Sequence, residues 1–132
     1  MMAWTLEKDF RFEASHQLPK HDGKCARLHG HSWRGRLICR GRQLQETGPH
    51  EAMLIDYSEM RGAIQSLLEE KLDHWHLNDS LKMQSPTSEA IAKWIYDQVK
   101  PKLPSLLAVE IEETCTSRCR YEPELISSER GA

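Results

Sequence analysis

Two segments near the start of the chain alternate between apolar and polar side chains with the two-residue period of a β-strand. In residues 4–16 the apolar side chains share one parity, and His16 continues it. In residues 31–40 apolar side chains alternate with polar ones, mostly arginines, and His31 lies on the apolar side. Because successive side chains of a strand point to opposite faces, both histidines are predicted to lie on the apolar side of their strands. Residues 17–28 are predicted to form the connecting loop.

Two amphipathic helices are predicted in the middle of the chain, where apolar residues recur with three-and-four spacing. The first follows a polar turn at 41–52 and carries apolar residues from Met60 to Leu72. Asp56 with Glu59 resembles a capping box at the start of this helix. The second helix covers about 86–101, with a proline at each end of that range.

Two further strands are predicted after the second helix, at about 107–114 and 118–122. Two hairpin-like pairs of strands around two helices indicate an α+β fold, in the order strand, strand, helix, helix, strand, strand. A length of 132 residues suits one domain, which is predicted to span residues 1–132. The polar tail at 123–132 is predicted to be flexible.

Composition narrows the class of protein. A formal net charge of −2 with interspersed signs gives no electrostatic attraction to nucleic acid or a membrane surface, so neither is an expected partner. The N-terminal residues lack the layout of a signal peptide, and no apolar run could span a bilayer. We therefore expect a soluble cytoplasmic protein with reduced thiols. Of its four cysteines, three are predicted to be structural: Cys39, Cys115 and Cys119.

A metal site is predicted from the histidines near the start of the chain. His29 and His31 are two residues apart, so in a strand they lie on the same face, and His16 could supply a third imidazole from the neighbouring strand. Three imidazoles with an open fourth position are typical of a catalytic zinc. The alternative is a set of ordinary, partly buried histidines. The remaining histidines without such spacing are predicted to be surface residues: His21, His50 and His76.

Cys25 is the candidate for a catalytic thiol. It lies in a polar loop between Lys24 and Arg27, where burial for packing is not expected. These cations and a nearby metal would each favour the thiolate, which can act as a base or nucleophile. The alternative is a cysteine that serves as a small apolar side chain.

Three acidic or basic residues further along the chain are candidates for acid–base work or substrate binding. Asp73 and His74 could form a relay in which the carboxylate orients the imidazole, or they could be the charged end of a helix. Glu113, at the end of the third predicted strand, could accept hydrogen bonds from two parallel N–H donors of a guanidine-like ring. The alternative is a solvent-exposed carboxylate without a specific role.

Six motifs along the chain resemble those of the 6-pyruvoyltetrahydropterin synthase superfamily. The resemblance covers residues 4–121, and the segments 93–101 and 113–116 are most similar to its bacterial 6-carboxy-5,6,7,8-tetrahydropterin synthase branch. Trp75-His76 and the loop at 42–51 depart from that pattern. The motifs, in order, are Phe12-Glu13-Ala14-Ser15-His16, Cys25-x-x-x-His29-Gly30-His31, Leu72-Asp73-His74, Leu77-Asn78-Asp79, Pro86-Thr87-Ser88-Glu89 and Glu113-Thr114.

The resemblance implies a T-fold, in which an antiparallel four-stranded sheet is backed by two helices, and a homo-oligomer built as a dimer of trimers with sites at subunit contacts. It also implies a role for each matching residue. The zinc ligands are His16, His29 and His31; the catalytic residues are Cys25, Asp73 and His74; and the residues that bind the pterin ring are Glu113 and Thr114.

The reaction implied by the resemblance starts from 7,8-dihydroneopterin triphosphate. It gives 6-carboxy-5,6,7,8-tetrahydropterin, acetaldehyde and triphosphate, and the pterin product serves queuosine biosynthesis. Two alternatives remain open at this point. One is a 6-pyruvoyltetrahydropterin synthase, which eliminates triphosphate without breaking a carbon–carbon bond, and the other is a protein that binds zinc or a pterin without catalysis.

Overall fold

A computed structural model of the protein describes residues 2–123, so most of the tail predicted to be flexible lies outside the described residues. A five-stranded sheet has the order β3-β1-β2-β4-β5. The four longer strands are antiparallel, as predicted, whereas the two-residue β3 adds in parallel beside the end of β1. The strands are β1 (Trp4–His16), β2 (His29–Gly41), β3 (Trp75–His76), β4 (Leu106–Thr114) and β5 (Ser117–Tyr121).

Two helices of three turns and several shorter turns connect the strands. The predicted first helix ends earlier than expected, because α1 stops at Leu67 and a π-helical turn, Leu68–Leu72, follows it. The wide turn closes with a bond from the Asp73 N–H to the Leu68 carbonyl. The helices are α1 (Tyr57–Leu67), the short α2 (Leu77–Ser80) and α3 (Ser88–Val99), and Lys24–Ala26 forms a 3₁₀ turn.

Both longer helices begin at a capping side chain. Thr87 accepts a hydrogen bond from the Ala90 N–H at the start of α3. Asp56 accepts one from the Ser58 N–H at the start of α1, so it caps as predicted. The reciprocal half of the predicted capping box is absent from the described contacts, because the Glu59 carboxylate lies 3.3 Å from the ring of His50 instead.

The core lies between one face of the sheet and the helices. The predicted apolar side of β1 is buried at Phe10, Phe12, Ala14 and His16, and Cys39 is buried on β2 as expected. Burial raises the pKa of the Cys39 thiol, which keeps it protonated and unreactive. Cys119 packs against the core, whereas Cys115 is exposed. None of the helices within 2–123 is long and apolar enough to cross a membrane.

Charged side chains are paired across the other face of the sheet. Four charged residues face one another on four strands that are neighbours in the sheet, namely Asp9 on β1, Arg36 on β2, Glu110 on β4 and Arg120 on β5. Arg36 lies 2.8 Å from the Asp9 carboxylate and 3.1 Å from that of Glu110, whose second oxygen is 3.0 Å from Arg120. Opposite charges in facing positions favour this strand register over its neighbours.

A close approach between β1 and β2 depends on a glycine. Gly35 faces Phe10 across the strand pair, and the Phe10 ring lies over the place that a Cβ at Gly35 would occupy. Phe10 is only 6% exposed, so its ring has little room to move aside. Gly62, on the exposed side of α1, has open space around the same position.

We therefore expect opposite effects from two glycine substitutions. Gly35→Ala forces the Phe10 ring out of its place and lowers the free energy of unfolding by roughly 1–3 kcal/mol. Gly62→Ala raises it by about 0.4–1 kcal/mol, because alanine restricts the unfolded chain and fits the helix. Urea unfolding of both variants measures the difference, and equal effects of the same sign would contradict this packing.

Candidate active site and metal centre

The pairing of β1 with β2 brings the three predicted metal ligands together. His16 and His29 face each other in the register, and His31 faces Ala14, two positions along. Facing residues on one side of a strand pair have Cβ atoms about 5 Å apart, so the three imidazoles form one cluster. Their ring centroids are 4.5 Å (His16–His29), 5.2 Å (His16–His31) and 5.0 Å (His29–His31) apart.

Backbone carbonyls fix the protonation of two of these rings. Nδ1 of His16 lies 2.9 Å from the Pro86 carbonyl oxygen, and Nδ1 of His29 lies 2.6 Å from that of Arg27. Because a carbonyl only accepts, each Nδ1 carries the proton and donates it. Each Nε2 therefore presents a lone pair. This is the tautomer and the second contact that metal-binding histidines have in proteins.

Nε2 of His16 and Nε2 of His31 are both buried without a hydrogen-bond partner among residues 2–123. His16 is fully buried. Burial is the main cause that lowers the pKa of both rings, which favours their neutral, ligating form. Buried polar atoms without a hydrogen-bond partner are energetically costly. A cation bound between these nitrogens would satisfy them, so the residues present fit a metal ion.

Glu113 joins the histidines as a fourth possible ligand. One of its carboxylate oxygens lies 3.1 Å from Nε2 of His16 and 3.3 Å from Nε2 of His31. One ligand atom from each of the four residues can be chosen so that all lie within 4.8 Å of one another. The sequence interpretation gave Glu113 a role in substrate binding and did not foresee this contact. The sequence signal for this contact is the position of Glu113 on β4, two residues after the buried Ile111. Residues two apart on a strand share a face, so Glu113 is placed on the side of the sheet that carries the histidines.

Cys25 lies beside the histidine cluster. It is partly buried in the 3₁₀ turn, and its carbonyl accepts the Leu18 N–H at 2.8 Å, which closes the loop between β1 and β2. Together with His29, His31 and Glu113 it lines a cavity of about 520 Å³. Both cations expected near the thiol line the same cavity, as does the predicted pterin-binding threonine: Lys24, Arg27 and Thr114.

Asp73 and His74 form the predicted pair of side chains. Nδ1 of His74 lies 3.1 Å from one Asp73 oxygen, and the other oxygen accepts the Glu13 N–H at 2.8 Å. His74 has a left-handed backbone, with φ 66°. Such a conformation is uncommon outside glycine and is enriched at functional sites, although Ala52 and Lys82 also adopt it here.

The pair does not share a cavity with Cys25. His74 lines a separate cavity of about 570 Å³, whose wall shares Gly30 and His31 with that of Cys25. Within the described chain, the structure thus joins Cys25 to the histidine cluster, whereas His74 lines a different cavity.

His76 is not the isolated surface residue that its spacing predicted. It is partly buried in β3, and its Nδ1 lies 2.9 Å from the hydroxyl of Ser15. Sequence reasoning missed it because β3 is only two residues long and has no recognisable period. The side chain of Asn78, in α2, accepts the Gln17 N–H and donates to its carbonyl, which ties the end of β1 to the segment that follows.

Comparison with known proteins identifies the family. A family model described as 6-pyruvoyl tetrahydropterin synthase matches residues 5–124. The chain belongs to the 6-pyruvoyl tetrahydropterin synthase family. The expected superfamily, the α+β T-fold and the expectation of an enzyme are thereby confirmed.

Individual members of the 6-pyruvoyl tetrahydropterin synthase family cover most of the chain. A protein of Synechocystis sp. named 6-carboxy-5,6,7,8-tetrahydropterin synthase is 50% identical over 119 residues, which are 89% of this chain and 92% of that protein. A protein of Haemophilus influenzae with the same name is 29% identical, over 90% and 99% of the two chains. The solved 6-pyruvoyl tetrahydropterin synthase of Caenorhabditis elegans superposes with a TM-score of 0.78, at 26% identity and over 93% and 97% of the chains.

Metal binding by this family member is expected to depend on His16. His16→Ala removes a fully buried candidate ligand that the Pro86 carbonyl orients, so the bound metal should fall from about one ion per chain to a small fraction of that. Metal analysis after gel filtration measures the content. His50→Ala is the matched control, since His50 contacts Asp56 and Glu59 at the start of α1 and should leave the content unchanged.

The Asp73 carboxylate is expected to stabilise the fold only above acidic pH. Its hydrogen bond from the Glu13 N–H lowers the pKa of Asp73 below the usual value of about 3.9. A lowered folded-state pKa means that the contribution is full above the unfolded pKa and is lost as pH falls through the folded one. Asp73→Asn should therefore cost at most about 1 kcal/mol at pH 7, because the group is partly exposed, and less at pH 3.

Denaturant unfolding at the two pH values measures this difference between wild type and Asp73→Asn. Asp22→Asn, in the exposed part of the loop between β1 and β2, should change neither value. A deficit of Asp73→Asn that is as large at pH 3 as at pH 7 would show that the charge of Asp73 does not stabilise the fold.

Proposed function

We propose that the protein is a zinc-dependent 6-carboxy-5,6,7,8-tetrahydropterin synthase. It would convert 7,8-dihydroneopterin triphosphate and water to 6-carboxy-5,6,7,8-tetrahydropterin, acetaldehyde and triphosphate. The observation that carries the proposal is the convergence of unprotonated imidazole nitrogens beside a cavity that also holds Cys25. The 50% identity to the Synechocystis protein of that name supports the choice of reaction within the family.

Zinc suits the donor set, because neutral imidazoles oriented by backbone carbonyls are typical zinc ligands. His16, His29 and His31 would hold the ion. Bound there, it would supply Lewis-acid polarisation of the oxygens on the substrate side chain, which acidifies the neighbouring C–H bonds.

Two side chains would transfer protons in this reaction, the Cys25 thiol and the His74 imidazole. The Cys25 thiol lines the same cavity as His29 and His31, so it can exchange a proton with a substrate carbon held there. His74 is oriented by Asp73, whose carboxylate accepts from Nδ1 and leaves Nε2 free to exchange a second proton. The exposed side chain of His74, 79% accessible, is open to a substrate.

The acidic and basic residues of the Cys25 cavity suit the two ends of the substrate. A carboxylate such as Glu113 can accept two parallel N–H donors from the pterin ring, and Thr114 lies beside it. Lys24 and Arg27 provide positive charge for the triphosphate in the same cavity.

Assembly is the further part of this proposal. The outer edge of β5 and most of the outer edge of β1 have no strand partner within residues 2–123. Edges of this kind favour pairing with another copy, and we propose a homo-oligomer, a dimer of trimers, with sites at its subunit contacts. The four cysteines are free, as expected in the cytoplasm, where the product would enter queuosine biosynthesis.

The product distinguishes the two reactions open to this family. Zinc-loaded protein given 7,8-dihydroneopterin triphosphate is expected to release acetaldehyde in equal amount to the carboxylated pterin, because the proposed reaction breaks the bond that joins them. Mass spectrometry of the pterin together with an aldehyde assay measures both. A 6-pyruvoyl product without acetaldehyde would reject this proposal in favour of a 6-pyruvoyltetrahydropterin synthase.

The same assay tests Cys25. Cys25→Ala should lower kcat by at least about a hundredfold, the usual contribution of a positioned acid–base group. Cys115→Ala is the control, because Cys115 is exposed at the turn between β4 and β5 and is not part of the cavity wall of Cys25. Full turnover by Cys25→Ala would remove the thiol from the mechanism.

A further inference from the structure

The contact of Glu113 with the histidines joins groups that repel each other without a cation. Nε2 of His16 carries a lone pair, because its Nδ1 donates to the Pro86 carbonyl. The Glu113 oxygen 3.1 Å away is also an acceptor, and the two make no hydrogen bond. The same oxygen lies 3.3 Å from the buried, unpartnered Nε2 of His31. The lone pair of His16 and the Glu113 oxygen, which converge in this way, are stabilised by a positive charge between them.

These separations are those of ligands around one tetrahedral ion. Zinc ligand bonds of about 2.0–2.1 Å place neighbouring ligand atoms of a tetrahedron roughly 3.3–3.4 Å apart. The two measured separations of the Glu113 oxygen, 3.1 and 3.3 Å, are close to that spacing. Around a bound ion, the carboxylate would therefore take the fourth position, which a substrate oxygen would also need.

Glu113 is also free to change partners. Within residues 2–123 its carboxylate has no hydrogen bond or ion pair other than its contacts with the two histidines, so no arginine or backbone N–H holds it in place. Its side chain is 37% exposed. It lies in the wall of the Cys25 cavity and in the wall of a second cavity beside the start of α3.

We propose that Glu113 is the fourth metal ligand of the substrate-free protein and that a bound pterin ring takes this carboxylate away from the metal. A bidentate hydrogen bond to the N–H donors of the ring uses both carboxylate oxygens. Ring binding thereby opens the metal position for the oxygens of the substrate side chain. The inference rests on the proposed function, since it takes a pterin as the ligand.

Competition for one carboxylate makes the two binding events antagonistic. A pterin that removes Glu113 from the metal weakens metal binding, and by linkage the metal weakens pterin binding by the same factor. A pterin without a side chain at C6 is the suitable probe, because it has no side-chain oxygen to replace the lost ligand. This antagonism separates an exchanging ligand from a residue that only binds the ring or only binds the metal.

The experiment measures metal affinity by chelator competition, with and without that pterin, in wild type, Glu113→Gln and Glu112→Gln. Cobalt(II) is the probe metal, and its visible spectrum reports the ligands. Glu113→Gln should bind metal at least about tenfold more weakly than wild type, and the pterin should weaken metal binding by wild type but not by Glu113→Gln. Glu112→Gln should behave as wild type, because Glu112 pairs with Arg118.

Three results would overturn the inference. Equal metal affinity of wild type and Glu113→Gln excludes Glu113 as a ligand. A weaker Glu113→Gln with no effect of the pterin on wild type shows a permanent ligand that does not exchange. Failure of metal-free wild type to bind the pterin rejects both this inference and the substrate class. If the pterin and the metal weaken each other's binding but the product assay shows no acetaldehyde, this inference stands and only the proposed reaction is rejected.

Discussion

The antiparallel pairing of β1 with β2 is the constraint on which the candidate metal site depends. It sets His16 opposite His29 and leaves His31 two positions along, on the same buried face. A slip of one residue would turn one side of the cluster to the opposite face of the sheet. The ladder of opposite charges through Arg36 on the far face and the close contact of Phe10 with Gly35 both favour the observed register.

Pairing alone does not make imidazoles into ligands. The carbonyls of Pro86 and Arg27 hold the Nδ1 protons, so the lone pairs of Nε2 point to a common centre. Pro86 precedes α3 and is 70 residues from His16 in the chain, and the site is therefore complete only when the helix layer has packed against the sheet. If the site holds a metal, the stability of the core and the affinity for that metal are linked for this reason.

The family fold of two helices on a sheet leaves the two proposed catalytic residues in segments that follow strands and helices of different parts of the chain. Cys25 comes from the loop between β1 and β2, and His74 follows the π-helical turn after α1. The hydrogen bond from the Glu13 N–H to Asp73 fixes the second group beside β1. The positive φ of His74 is a strained backbone conformation. The contacts of residues 73 and 74 with β1 stabilise it, as expected for strained residues whose surroundings fix their position.

The sequence by itself determined the α+β class, the long elements and the facing of His16, His29 and His31, because side-chain periodicity depends only on local backbone geometry. It also gave the motifs by which the family was predicted. Only the tertiary structure decided the approach of Glu113 to the histidines, the pairing of His76 with Ser15 and the separate cavities of Cys25 and His74. These contacts join residues far apart in the chain, and their distances follow from how β4, β3 and the helices pack, which no local pattern encodes.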